Sequence, residues 1–138
     1  MKSRTFHTRS EEETIALGRE LGRQFSGGAV LLIGNLGAGK TTLAKGIVEG
    51  RAAGVADDVS SPTFTLIHQY GPVFHIDLYR LDEAREVETL GLDDLFGSGA
   101  LVLLEWAERF PELLPADRVE IRLTTLEDDS REIVVTSS

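Results

Sequence analysis

The sequence predicts a three-layer α/β fold with a mostly parallel sheet and a C-terminal β-hairpin. Two continuous apolar runs, Ala29-Val30-Leu31-Leu32-Ile33 and Ala100-Leu101-Val102-Leu103-Leu104, have the pattern of strands buried on both faces. Segments with helical spacing alternate with them, which argues for crossover connections and helices on the sheet faces. Near the end of the chain Val119, Ile121 and Leu123 alternate with Glu120 and Arg122, and after Asp128-Asp129-Ser130 an apolar run returns at Ile133-Val134-Val135. That is a hairpin with a polar turn, added antiparallel to the rest.

The elements follow in order. Ser10 and Glu13 have capping-box spacing, and Leu17, Leu21 and Phe25 recur every fourth residue until Ser26-Gly27-Gly28, so residues 10–25 form an amphipathic helix. After the run at 29–33 comes a glycine-rich turn. Leu43 and Ile47 then mark a helix stopping near Gly50, and residues 50–61 read as a mobile loop before Pro62. Strands are expected at Thr63–Tyr70 and Val73–Asp77, split by Gly71-Pro72. An acidic helix is expected over 82–95, its acids a solvated face or a docking surface for a basic partner.

The length, 138 residues, suits a single domain over 1–138, and 41% hydrophobic with 27% charged residues suffices for a real core. The absence of cysteine excludes disulfides, thiolate zinc sites and a cysteine nucleophile. No apolar run approaches the ~20 residues of a membrane span. Met1-Lys2-Ser3-Arg4 leads into polar residues, not a signal-peptide core, so a soluble, cytoplasmic protein is expected. Lys and Arg number 14 against 23 Asp and Glu, a net charge of −9. Such a surface repels a phosphate backbone, so any nucleic acid is expected to be reached through another protein.

Gly34-Asn35-Leu36-Gly37-Ala38-Gly39-Lys40-Thr41 matches G-x-x-x-x-G-K-S/T between a buried strand and a helix. Glycines there let backbone N–H groups converge on phosphates, and the following helix presents its positive dipole end. Lys40 can reach the β- and γ-phosphates, and the Thr41 hydroxyl can hold Mg²⁺. A dinucleotide fingerprint fits less well, because Thr42 stands where Gly or Ala is needed. No N-K-x-D string exists, and the D-x-x-G at Asp94 to Gly97 lies in a helical pattern, so ATP is expected over GTP.

Metal-dependent hydrolysis also needs a carboxylate at a strand end. Asp77 and Glu105 qualify, although either could be an ordinary strand-end acid in a cap or ion pair. Glu105 follows the more apolar run, which favours it as the metal-side acid and leaves Asp77 to position water or Mg²⁺. Thr63 and Thr65 occupy the place of a γ-phosphate-sensing switch, or are simply strand residues. His7, His68 and His75 lack metal-ligand spacing and suit surface or core roles, and Trp106 is expected near the site mouth. Arg80, Arg85 and Arg109 are each possible charge-stabilising fingers. With so few water-positioning groups, unaided hydrolysis is expected to be slow.

The segments Thr8 with Ser10-Glu11-Glu12-Glu13-Thr14, Gly34 to Thr42, Ser61-Pro62-Thr63-Phe64-Thr65-Leu66, His75-Ile76-Asp77-Leu78-Tyr79-Arg80-Leu81 and Leu104-Glu105-Trp106, in this order, resemble the TsaE (YjeE) family of small P-loop ATPases. The resemblance implies the P-loop NTPase fold and a subunit that hydrolyses ATP with Mg²⁺ to sustain threonylcarbamoyl modification of adenosine in tRNA, acting on a TsaD–TsaB transferase pair. By the same resemblance Thr41 and Glu105 ligate Mg²⁺, Lys40 holds phosphate and Asp77 serves hydrolysis. Nucleotide contacts are implied for Asn35, Leu36, Gly37, Ala38, Gly39, Lys40, Thr41 and Thr42, together with Thr8 and Arg131. Asn35 departs from the acid usual in the family's loop, which leaves any catalytic or partner role of that acid open. Other readings of the same loop are a small-metabolite kinase and a nucleotide-dependent binding switch with negligible turnover.

Overall fold

The computed structural model describes residues 2–35, 37–52 and 67–137. Its elements in chain order are β1 (Lys2–Thr8), α1 (Glu11–Gln24), β2 (Gly28–Ile33), α2 (Lys40–Arg51), β3 (Ile67–Tyr70), β4 (Val73–Asp77), α3 (Ala84–Glu88), α4 (Leu92–Phe96), β5 (Leu101–Glu105), β6 (Arg118–Thr125) and β7 (Arg131–Ser137), with two 3-10 turns at Ala107–Arg109 and Pro111–Leu113. The strands form one seven-stranded sheet in the order β1-β7-β6-β2-β5-β4-β3. Its centre, β6-β2-β5-β4, is parallel, while β3, β7 and β1 join antiparallel. The hairpin β6–β7 is therefore not a mere edge addition. Its first strand lies parallel to β2 and continues the sheet centre, because Val119 and Ile121 face the same layer as Val30 and Leu32.

Alternation sorts the strand residues into two cores. Val30, Leu32, Leu101, Leu103, Ile121 and Leu123 pack beneath α1 and α2, against Leu21, Leu43 and Ile47. Ala29, Leu31, Ile76, Val102 and Leu104 face Val87 of α3, Leu92 of α4 and Phe110 between the 3-10 turns. Helices on both faces of the sheet give the three layers. Among the described residues no helix is long and apolar enough to cross a membrane.

Ser10 caps α1 as its spacing predicts: its Oγ accepts from the Glu13 N–H at 3.1 Å, and Glu13 in turn accepts from the Arg9 N–H at 2.9 Å. Glu11, Glu12 and Glu13 in the first turn complement the helix dipole. α2 runs one residue past Gly50, and Arg51 donates to the Phe25 and Ser26 carbonyls at 2.6 and 3.3 Å, closing the end of α2 against the α1–β2 turn. The acidic helix expected over 82–95 is instead two short helices, because Gly91 adopts φ 70° and breaks the pattern between them. Of the strand expected at 63–70, Ile67–Tyr70 is seen as β3. Thr63, Thr65 and the loop from residue 53 lie outside the described residues, as does Leu36. β1 was not expected.

α1 and α2 touch backbone to backbone. A Cβ on Gly46 would fall against the Ile15 carbonyl oxygen and 2.9 Å from Gly18 Cα, and one on Gly18 would lie 2.6 Å from the Leu43 carbonyl oxygen. These contacts cannot be relieved by a rotamer change. Gly46→Val is therefore expected to destabilise the fold by about 3 kcal/mol or more, lowering the Tm by roughly 10 °C. Thermal unfolding followed by circular dichroism measures it, and an unchanged Tm would show that the helices are free to separate.

Candidate functional site

The turn between β2 and α2 bends sharply. Gly37 and Gly39 have φ of 82° and 101°, conformations that β-carbon-bearing residues rarely adopt, and Gly39 caps α2 without any side-chain hydrogen bond. The first N–H groups of α2 are thus left to a ligand on the axis of a 12-residue helix. Lys40 opens that helix with its side chain folded inward. It is only 5% exposed, and its Nζ is buried with no hydrogen-bond partner among the described residues.

Two parallel strands bring acids to this lysine. Asp77 and Glu105 are the last residues of β4 and β5 and are register partners, so both project from the same end of the sheet on the α1–α2 side. Asp77 accepts from the Tyr79 N–H at 2.9 Å, which fixes one carboxylate oxygen. Burial outweighs this bond and, with the nearby Glu105 charge, raises the Asp77 pKa above its ordinary value. Burial likewise lowers the Lys40 pKa, against the attraction of Glu105, Glu108 and Asp77. A cation and an acid are each held in surroundings that disfavour their charged forms. Such conflict marks sites that await a charged ligand.

Trp106 follows Glu105 in the left-handed region, φ 65°, a strained conformation for a residue with a Cβ. The turn swings the indole back over the loop, and Lys40 Nζ lies 3.7 Å from the ring centroid. Tyr79, 50% exposed, packs against Trp106 with the ring centroids 5.0 Å apart and the planes tilted by 57°. Arg109 holds the segment after β4 in place by donating to the carbonyls of Leu78, Tyr79 and Leu81.

These groups line an open cleft of about 510 Å³. Of the residues expected from the sequence, Gly37, Gly39, Lys40, Thr41, Thr42, Asp77, Glu105 and Arg131 meet there. Arg131 arrives from β7 and leans on the loop, donating through Nε to the Ala38 carbonyl at 3.1 Å and through Nη2 to that of Gly37 at 3.4 Å. Ala38 itself is buried. Thr8 is the register partner of Arg131 but lies beneath the cleft, 4% exposed, with its Oγ1 2.7 Å from that of Thr14, which does line it. Asn35 opens onto a different depression beside Glu108 and Arg122. Arg109 is committed to backbone carbonyls and Arg85 pairs with Glu83 at 2.6 Å, while among the described residues Arg131 is the arginine that lines the cleft.

Sequence reasoning did not place Ser10, Glu11, Thr14, Tyr79 and Asp129 in this cleft. His75 lies behind it, fully buried, with Nε2 2.5 Å from Glu105 Oε2. Its period-two spacing from Asp77 would have placed it on the same face. Trp106 stands at the site mouth as its position after a strand-end acid suggests. The donor set comprises backbone N–H groups, a buried ammonium, the Thr41 hydroxyl and two carboxylates. It suits a polyphosphate carrying a hard divalent cation. Among the described residues there is no cluster of three or more His, Cys, Asp or Glu that could hold a metal by themselves.

The family model described as "Threonylcarbamoyl adenosine biosynthesis protein TsaE" matches residues 8–133. The chain is 41% identical over 142 residues to the tRNA threonylcarbamoyladenosine biosynthesis protein TsaE of Bacillus subtilis, covering 99% of this chain and 87% of that protein. It is 39% identical over 136 residues to the protein of the same name from a Nostoc species, with 91% and 81% covered. The crystal structure of Bacillus subtilis YdiB superposes with a TM-score of 0.79 at 33% identity, covering 99% of this chain and 86% of that one. Match, identity and fold agree over nearly the whole length, and the chain belongs to the TsaE family.

Proposed function

We propose that this protein binds ATP with Mg²⁺ and hydrolyses it as a subunit of the machinery that makes threonylcarbamoyladenosine in tRNA, working on a TsaD–TsaB pair in the cytoplasm. The observation that carries the reading is the buried Lys40 ammonium at the start of α2, which has no hydrogen-bond partner among the described residues and shares one cleft with Asp77 and Glu105. The names of the relatives support the pathway. The net charge of −9 supports an indirect route to tRNA.

In this reading the loop amides from Gly37 to Thr41 and the Lys40 ammonium hold the phosphates, with Ala38 and Arg131 fixing the loop from behind. Thr41 and Glu105 hold the metal, which when bound supplies charge neutralisation to the phosphate oxygens. Asp77 orients the attacking water and accepts its proton, a task helped by its raised pKa. Ser10, Glu11 and Thr14 at the head of α1 complete the lining of the cleft, with Thr8 hydrogen-bonded to Thr14.

The test is a pull-down against TsaB and TsaD with ATP and with ADP, followed by ATPase assay of the assembly. Binding together with faster hydrolysis is the expected result; absence of both would overturn the pathway role. Nucleotide binding itself has a built-in reporter. The chain has one tryptophan, and Lys40 Nζ rests on its ring. Phosphates that draw the ammonium away are expected to produce a saturable change in Trp106 emission on titration with MgATP. A flat titration would mean that the ammonium never leaves the indole.

A further inference from the structure

We infer that His75 is a positioning residue that holds the Glu105 carboxylate in its metal-binding orientation, an inference that rests on the ATP–Mg²⁺ reading above. His75 pairs with Leu103 across β4 and β5, so Glu105, two residues further along β5, is its diagonal neighbour on the same face. The distance from Nε2 to Oε2 is 2.5 Å, and the side chains are 0% and 4% exposed. Both side chains are almost wholly buried, so solvent competes little for the bond.

The Nδ1 of His75 is buried without a hydrogen-bond partner among the described residues. Among the described residues the polar contact this core histidine makes through its ring is the one to a cleft-lining acid. Among the described residues Oε2 is the hydrogen-bonded oxygen of Glu105, so His75 fixes the carboxylate plane and leaves the other oxygen for the cleft. A carboxylate on a flexible side chain loses rotamer freedom when it ligates a cation, and a ligand already locked by a neighbour binds without that loss.

The experiment compares the ATP affinity of each protein by calorimetry with Mg²⁺ and with EDTA. His75→Leu fills a similar volume and removes the donor. His75→Gln can present its amide N–H near the position of Nε2. In the Leu variant the gain in ATP affinity that Mg²⁺ provides is expected to fall by about tenfold, with the EDTA affinity unchanged. The Gln variant is expected to recover most of the gain. Adding His75→Leu to Glu105→Gln is expected to cost nothing further, because the histidine acts through that acid. If His75→Leu does not fold, the shorter His75→Asn, which cannot reach Oε2, takes its place. A full Mg²⁺ gain in the variant lacking the donor, or equal losses with and without metal, overturns the inference and leaves the ATP reading intact. A wild-type protein that binds no ATP at all overturns the reading itself.

Discussion

Lys40→Ala is expected to lose ATP affinity by at least about 100-fold while keeping the fold, since a buried ammonium making charge-assisted hydrogen bonds to phosphate contributes several kcal/mol to binding. The unliganded site makes the experiment clean. Among the described residues Lys40 has no hydrogen-bond partner to lose, and burial already disfavours its charge more than Glu105, Glu108 and Asp77 favour it. Removing the ammonium therefore breaks no hydrogen bond among the described residues and gives up its contact with the Trp106 ring. Alanine also removes the aliphatic stem, so Lys40→Met is the control that keeps most of the side-chain volume and deletes the charge. Both variants should bind ATP equally poorly by calorimetry, with the Met form melting at or above the wild-type temperature. Near-native affinity in either would mean that the loop amides alone hold the phosphates.

What the sequence made legible follows from which forces act locally. β2 and β5 were readable because strands buried on both faces are uniformly apolar, and α1 because its cap and its four-residue spacing lie in one short window. β1 was missed for the opposite reason. It is an edge strand with most side chains in water, so neither alternation nor an apolar run marks it, and it exists because β7 offers a free edge. The sheet order was equally hidden, since the parallel pairing of β6 with β2 is a non-local event that no hairpin signal contains. The site divides in the same way. The loop and the two strand-end acids announce themselves by motif and position. Ser10 and Thr14 enter only because glycines on α1 and α2 let the helices close to backbone contact, which carries the head of α1 to the cleft. His75 was readable in principle from its alternation with Asp77, but its partner on β5 is set by register, which the sequence does not print.

Asp77→Asn is expected to separate catalysis from stability, moving them in opposite directions. The amide oxygen can still accept from the Tyr79 N–H, so the local turn survives, but the group can no longer take a proton from water. Hydrolysis by the assembled complex should fall by about 10²-fold or more, with MgATP affinity little changed. Stability responds through linkage. The folded-state pKa of Asp77 lies above its ordinary 3.8, chiefly from burial, so the folded protein binds this proton more tightly than the unfolded chain does. The resulting stabilisation is full below the ordinary value and is lost as pH rises through the raised folded value, which leaves a penalty at neutral pH. Asparagine carries no such penalty, so the unliganded variant should melt higher than wild type at pH 7 and show no excess at low pH, where the aspartate is itself protonated. Thermal melts across that range measure it. An Asn variant that melts lower at pH 7, or that hydrolyses ATP at the native rate, would place the strain and the chemistry on Glu105 instead.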